Sequence, residues 1–467
     1  MISDDLALKP VTELAALIKN HKVSPRDVVE AYLGRIKRYA SLHAYVTVCA
    51  DEARTEAKAA ERAIMRGKKT GPLTGIPIGV KDQIEVRGTP TTLGSHRFKT
   101  VAKADATAVA RLRAAGAIII GKQNCTLLSA GDSRKYAYGR PVNPWSQAHD
   151  SGGSSNGSAV AVAAGLSAAA LGEDTGGSIR VPASYNGAVG VRPSWGRVSR
   201  RGVVPIMWSA DTVGPLTRTV QDSALILRII SGHDAEDEWS AQIAVPNYLR
   251  QLKGGVRGMR VGIVAEYRKR ANAEVNLSIA KAADALRGLG ARVSEVSLPM
   301  AELAPALSMA LGDPESAARE SRDPKVLATL DSGFRQRMAA SSLISASLHQ
   351  RALQARGLLY RELLAAFERF DVLISPCAPT AAPKIESQSA TITTTEEAYR
   401  AMFRSFPFTM LYSLAGAPAI SVPCRFTKDG LPIGLQMAAK PFDEATLLRA
   451  AYAYEQVSPA KEPWPTL

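Results

Sequence analysis

The sequence predicts an α/β protein: a single large domain with a central mixed β-sheet surrounded by helices. Short apolar runs of strand length alternate with longer stretches of helical periodicity, the pattern of strands joined by helices. Strand-like runs lie near both ends with no Pro/Gly/Ser-rich linker between them, so one sheet is expected to serve the whole chain. The 467 residues, 46% hydrophobic and 22% charged, suffice for a large buried core and give no sign of disorder. A helical N-terminal segment, residues 1–70, is expected to pack on the main α/β domain, residues 71–467.

Each element has a local reason. Ser24 and Pro25 open a helix as N-cap and first helical residue, and Val28, Val29, Tyr32 and Ile36 recur on one face. An Ala-rich helix over residues 51–66 closes at Gly67, and GIPIGVKD then reads as a short β-rich segment ending at a lysine, Lys81. A helix over residues 106–115 stops at Gly116 and feeds AIIIGK, a run of the kind that parallel sheets bury. Residues 136–201 are rich in Gly and Ser, with a small-residue helix expected over 157–170. After the polar stretch GHDAEDEWS, the strand MRVGIV, a helix over residues 272–289 and the strand ARVSEVSL make a βαβ unit. Two long helical segments precede FDVLISP, and APAISVPC and LPIGLQMA are late strands before a final helix from Asp443.

Composition excludes several classes of function. The net charge of +15 is spread over short clusters, Lys68-Lys69, Arg200-Arg201 and Arg268-Lys269-Arg270, without interleaved aromatics, so a solvated basic surface is expected and no nucleic-acid partner. The uncharged run over residues 151–172 is Gly, Ser and Ala, which reads as buried protein and not as a membrane span. The start of the chain lacks a secretory signal, and Cys49, Cys125, Cys377 and Cys424 are too far apart for a CxxC or zinc pattern. Free thiols in a cytoplasmic protein are the expectation. The six histidines form no HxxxH or HExxH arrangement, so neither metal nor cofactor is expected.

Among local motifs, GAIIIGKQ approaches the phosphate-binding GxxxxGK[ST], but three isoleucines and Gln123 make it a strand. GSSNG fits GxSxG, with Ser155 as the nucleophile of an esterase of the α/β-hydrolase type. That reading needs a loop histidine, whereas His233 lies in a linker-like stretch and His349 in a helix. SPAK, from Ser458 to Lys461, matches SxxK only at the C-terminus. The combination of GGSSNGS with DTGGS is different. Gly176 and Gly177 let the backbone turn sharply and aim N–H groups into one space bordered by Ser178, as a serine nucleophile and its oxyanion require. A tight Gly-Gly turn ahead of a strand accounts for DTGGS alone equally well.

The second signal is a resemblance that runs from about Leu73 to Gln436. GIPIGVKDQIEVRGTPTTLGS, DATAVARLRAAGAIIIGKQN, NPWSQAHDSGGSSNGSAVAVAAG, GEDTGGSIRVPASYNGAVGVRPS, LAGAPAISVP and DGLPIGLQM stand in the order found in the amidase signature family, which the chain resembles. The resemblance implies a serine amidohydrolase with a Ser-Ser-Lys triad: Ser178 as nucleophile, Ser154 as the bridging serine after a cis peptide bond, and Lys81 as base. It implies an oxyanion hole from the backbone of Thr175, Gly176, Gly177 and Ser178, with Ser155, Asp174 and Arg180 in support. A lysine with its ordinary pKa of about 10.4 is charged and cannot accept a proton, so Lys81 has to be desolvated or otherwise held neutral. Asn156 stands where the family usually has glycine, a position asparagine tolerates.

Substrate is read from departures. After GKQN the family commonly carries an acidic residue, whereas this chain has Cys125, Leu127 and Leu128. Met207, Trp208 and the stretch FRSFPFTMLY from Phe403 to Tyr412 add large apolar side chains. If these face the pocket, the substrate is a small aryl or alkyl amide, hydrolysed by the chain alone or as a homodimer. The alternative is the glutaminase component of a tRNA-dependent amidotransferase, which would pass ammonia to a partner. It is disfavoured by the missing acid and by the lack of an evident glutamine-reading Arg in SSLISASLHQRALQARG.

Overall fold

The computed structural model describes residues 5–96, 98, 100–129, 136–320, 328, 332–385, 393–397, 406–460 and 464–467. Thirteen strands occur among them: β1 (Tyr45–Val48), β2 (Pro77–Lys81), β3 (Pro90–Thr91), β4 (Thr100–Val101), β5 (Ile118–Gln123), β6 (Ala169–Asp174), β7 (Val189–Arg192), β8 (Thr212–Thr217), β9 (Arg260–Val264), β10 (Arg292–Val296), β11 (Val372–Pro376), β12 (Ala419–Phe426) and β13 (Pro432–Ala438). Apart from the β3–β4 hairpin they form one mixed sheet in the order β1-β5-β2-β6-β8-β7-β12-β13-β11-β9-β10. The expected fold class is the observed one.

The sheet is parallel where chemistry gathers. β2 runs parallel to β5 on one side and to β6 on the other. All three are buried along their length, as apolar central strands must be. Their charged residues sit at or near their carboxyl ends: Lys81 on β2, Lys122 on β5, and Glu173 and Asp174 on β6. A crevice outside the carboxyl ends of parallel strands is where open α/β sheets bind ligands.

Two expectations need correction, and two strands add to what the sequence announced. The small-residue helix is shorter, Asn156–Ala163, because Gly165 turns with φ +67° and Ala169 and Ala170 belong to β6, held between β2 and β8. The N-terminal segment is not purely helical, since β1 pairs antiparallel with β5 and so extends the sheet. β7 and β8, which no apolar run announced, join β6 to β12. Elsewhere local rules operate as written: Ser24 accepts from Asp27 N–H and the Asp27 carboxylate accepts from Ser24 N–H, a capping box at the helix Pro25–Arg38.

Backbones come very close beneath the site. A Cβ on Gly157 would lie 2.4 Å from the carbonyl oxygen of Asn124 and 2.7 Å from that of Ala44, both backbone atoms that cannot step aside. Gly157→Ala is therefore expected to destabilise the protein by about 1–3 kcal/mol or more, read from urea unfolding midpoints. An unchanged midpoint would show that β5 can move away from this helix.

Candidate active site

The buried end of β2 places Lys81 against Ser154. Lys81 Nζ lies 2.8 Å from Ser154 Oγ and 3.2 Å from Glu173 Oε2, and the whole lysine side chain is sealed from solvent. Ser154 follows a cis peptide bond from Gly153 and stands two residues ahead of the helix Asn156–Ala163. Ser154, Thr175, Gly176 and Ser178 line one pocket, and Ser178 is 7% exposed at its edge. The structure thus brings Lys81, Ser154 and Ser178 to one place.

The loop after β6 is shaped by Asp174. Its Oδ1 accepts from Gly177 N–H at 2.8 Å and from Arg180 Nη2 at 2.9 Å, and its Oδ2 from Ile179 N–H at 3.1 Å and Arg180 Nε at 3.0 Å. Arg192 Nη1 reaches Oδ1 at 3.2 Å. Burial works against the Asp174 anion, but Arg180, by charge and hydrogen bonds, and then Arg192 hold it well below the usual carboxylate range. Gly177 has φ +132°, and a Cβ there would lie 2.4 Å from Thr409 Oγ1, so only glycine fits. One expectation changes: the Gly177 N–H is committed to Asp174. The oxyanion candidates are Thr175, Gly176 and Ser178.

Ser155 is fully buried, with its Oγ 3.1 Å from the Glu173 carbonyl oxygen, and it does not line the pocket. Sealed from solvent and off the pocket, Ser155 is not presented to a substrate as Ser178 is. Arg180 reaches past Asp174 to the Thr409 carbonyl, Gln436 and Ser413, which ties the loop to the late strands. Among the described residues no group of three His, Cys, Asp or Glu side chains is placed to hold a metal ion, and no helix is long and apolar enough to cross a membrane.

The pocket wall differs from the one expected. Met207, Phe406 and Met410 line it, joined by Ile206 and Met338. Cys125 and Leu128 are buried away from it, and Trp208 is half exposed on a different cavity. Phe403 lies outside the described residues. Arg337 and Asp313, both buried, also line the pocket and are paired through Arg337 Nε and Asp313 Oδ2 at 3.3 Å and through Nη2 and Oδ1. Arg337 lies four residues before the stretch in which a glutamine-reading Arg was expected, and Cys125 is not where a substrate would meet it. Both objections to the glutaminase reading therefore lose their force.

The sequence reading did not single out Glu173 and Asp211, which share the Thr175 hydroxyl, or the Arg337–Asp313 pair. Glu173 was hidden by the attention that DTGGS draws to Asp174, although an acid at the buried end of a strand is a signal in itself. Arg337, on the helix Ser332–Ser342, is far from the motifs in sequence, and nothing local marks it.

The Amidase family profile matches residues 27–448. A Glutamyl-tRNA(Gln) amidotransferase chain of Geobacillus thermodenitrificans, the A component of that enzyme, is 38% identical over 488 residues, covering 98% of this chain and 99% of that protein. The solved structure of the same component from Thermotoga maritima is 30% identical with TM-score 0.84, over 100% of this chain and 99% of that one. A bacterial aryl acylamidase of the amidase signature enzymes is 26% identical with TM-score 0.88, over 97% and 96%.

Asp174→Ala should cost about 3–5 kcal/mol in urea unfolding, because it strands two buried guanidinium groups. The carboxylate has a depressed native pKa, so its contribution is present at neutral pH and is lost as pH falls below about 4. The wild-type advantage over Asp174→Ala should therefore shrink in acid; a constant difference would contradict the assignment.

Proposed function

The chain belongs to the amidase family and is an amidohydrolase, and on that premise we propose that it hydrolyses the side-chain carboxamide of glutamine or a close amino-acid analogue. The observation that carries this reading is the Arg337–Asp313 pair in the wall of the pocket that Ser178 also lines. A free amino acid brings one carboxylate and one ammonium a few ångströms apart. Such a zwitterion can exchange partners with a buried ion pair without leaving either charge uncompensated, which a singly charged ligand cannot do. The likeness to amidotransferase components over nearly the full length of both chains supports the same substrate, and with it ammonia delivery to a partner protein.

In the mechanism, Lys81 takes the proton of Ser154, which takes that of Ser178 as Ser178 Oγ attacks the carboxamide carbon. The N–H groups of Thr175, Gly176 and Ser178 receive the oxyanion. The proton returns through Ser154 to the leaving nitrogen, ammonia departs, and water attacks the acyl-enzyme to release glutamate. Ser155, Asp174 and Arg180 support the loop without touching the reacting atoms.

A second reading has its own observation. Ile206, Met207, Met338, Phe406 and Met410 give the pocket an apolar wall, which suits an aryl or alkyl amide. Steady-state kinetics on the purified chain separate the two. Glutamine should release ammonia and exceed phenylacetamide in kcat/KM. Arg337→Ala should lower kcat/KM for glutamine roughly 30-fold or more, with phenylacetamide changed less than about threefold. Faster turnover of phenylacetamide, with glutamine insensitive to Arg337→Ala, would transfer the assignment to the second reading.

A further inference from the structure

Thr175 has one hydroxyl proton, and two buried carboxyl groups claim it. Its Oγ1 lies 2.9 Å from Glu173 Oε1 and 2.8 Å from Asp211 Oδ1, with both acids sealed from solvent. A hydroxyl donates once, so both contacts are hydrogen bonds only if one carboxyl group carries a proton of its own. Two carboxylates would leave a buried oxygen facing a lone pair, at the cost of an unmade bond.

The surrounding donors indicate which acid is neutral. Asp211 Oδ2 accepts from Ile206 N–H at 2.7 Å and Oδ1 from Met207 N–H at 3.0 Å, bonds that stabilise an anion. The Glu173 carboxyl meets Thr175 at Oε1 and Lys81 Nζ at Oε2. Burial raises both acids; the backbone donors oppose the rise at Asp211, whereas Glu173 is pushed up to about 7, against the pull of Lys81. The other charges that act on Glu173 are Asp174 on its own strand, Arg192 on β7, and Arg200.

We propose that Glu173 is a positioning residue that stands protonated in the resting enzyme, donating through Oε1 to Thr175, which donates to Asp211, while its Oε2 accepts one hydrogen from Lys81. Lys81 then keeps its lone pair for the Ser154 hydroxyl at 2.8 Å. A Glu173 carboxylate in the same place would instead hold Lys81 as an ammonium, with no lone pair to accept a proton. The Glu173 proton stays where it is during turnover: Ser154 gives its own proton to Lys81 as it takes that of Ser178, and one proton returns from Lys81 by way of Ser154 to the leaving nitrogen. The inference rests on the Ser178–Ser154–Lys81 reading and is separable from it.

The test is the pH dependence of inactivation by a fluorophosphonate, which needs no knowledge of the amide, in wild type, Glu173→Gln, Glu173→Ala and Ser178→Ala. Wild type unreactive, or Ser178→Ala fully reactive, would sink the triad reading itself. If Glu173 is neutral, Gln mimics it, with its amide donating to Thr175 and its carbonyl accepting from Lys81. Glu173→Gln should then recover most of the about tenfold or greater loss seen in Glu173→Ala, with the rising limb of its pH profile within about half a unit of wild type. A limb that falls by a unit or more in Glu173→Gln would mean that Glu173 is an anion paired with an ammonium, and would overturn the proposal. So would a Gln variant as slow as Ala, or an Ala variant as fast as wild type. Infrared difference spectra of folded wild type against Glu173→Gln at pH 6 give an independent readout: the carbonyl band of an un-ionised acid is expected, and a carboxylate band alone would refute it.

Discussion

The carboxylate of Asp174 is the constraint from which the site is built. At the end of β6 it collects two backbone N–H groups of the following loop and two guanidinium groups, all out of solvent. An anion so buried persists only with its partners in place, and the partners persist only with the anion. Because Arg180 also binds Gln436 on β13 and the Thr409 carbonyl, a local turn and a long-range closure of the fold are the same event. The conformation of Thr175 to Ser178, and with it the aim of the remaining N–H groups, follows from that closure.

Two buried lysines illustrate how environment separates structure from chemistry. Lys122, near the end of β5, lies 3.3 Å from Asp82 Oδ1, 3.1 Å from the Asp82 carbonyl and 3.2 Å from that of Pro90, so it braces β5 against the loop after β2. Lys81, one strand away, faces Ser154, which opens on the pocket. Each has an acid beside it. Only the acid beside Lys81 is linked onward through a hydroxyl to another acid, and that link gives the pair a way to stay uncharged.

The sequence carried the local grammar well and the distant contacts poorly. The α/β class and the capped helix after Ser24 were legible because strand runs and caps act over short spans, whereas the grouping of Lys81, Ser154 and Ser178 came from the resemblance to the amidase signature family and not from local pattern. The helix expected over residues 157–170 failed at Gly165, where Ala-rich sequence fits strand and helix alike and pairing with β2 and β8 decided between them. The apolar pocket wall was half legible: Met207, Phe406 and Met410 face it, but Cys125 and Leu128 were drawn into the core, as apolar side chains beside a buried strand usually are. Arg337 and Glu173 escaped notice because their meaning lies in what they pair with, which no spacing records.

The central claim is that Ser178 attacks, with its proton relayed through Ser154 to Lys81. Peptide mass spectrometry after reaction with a fluorophosphonate locates the attacking oxygen directly. The account predicts one adduct, on the peptide that contains Ser178, and no adduct there once Lys81 is replaced by Met at neutral pH. An adduct on Ser155 with Ser178 unmodified would contradict it, as would full modification of Ser178 in the Lys81→Met protein.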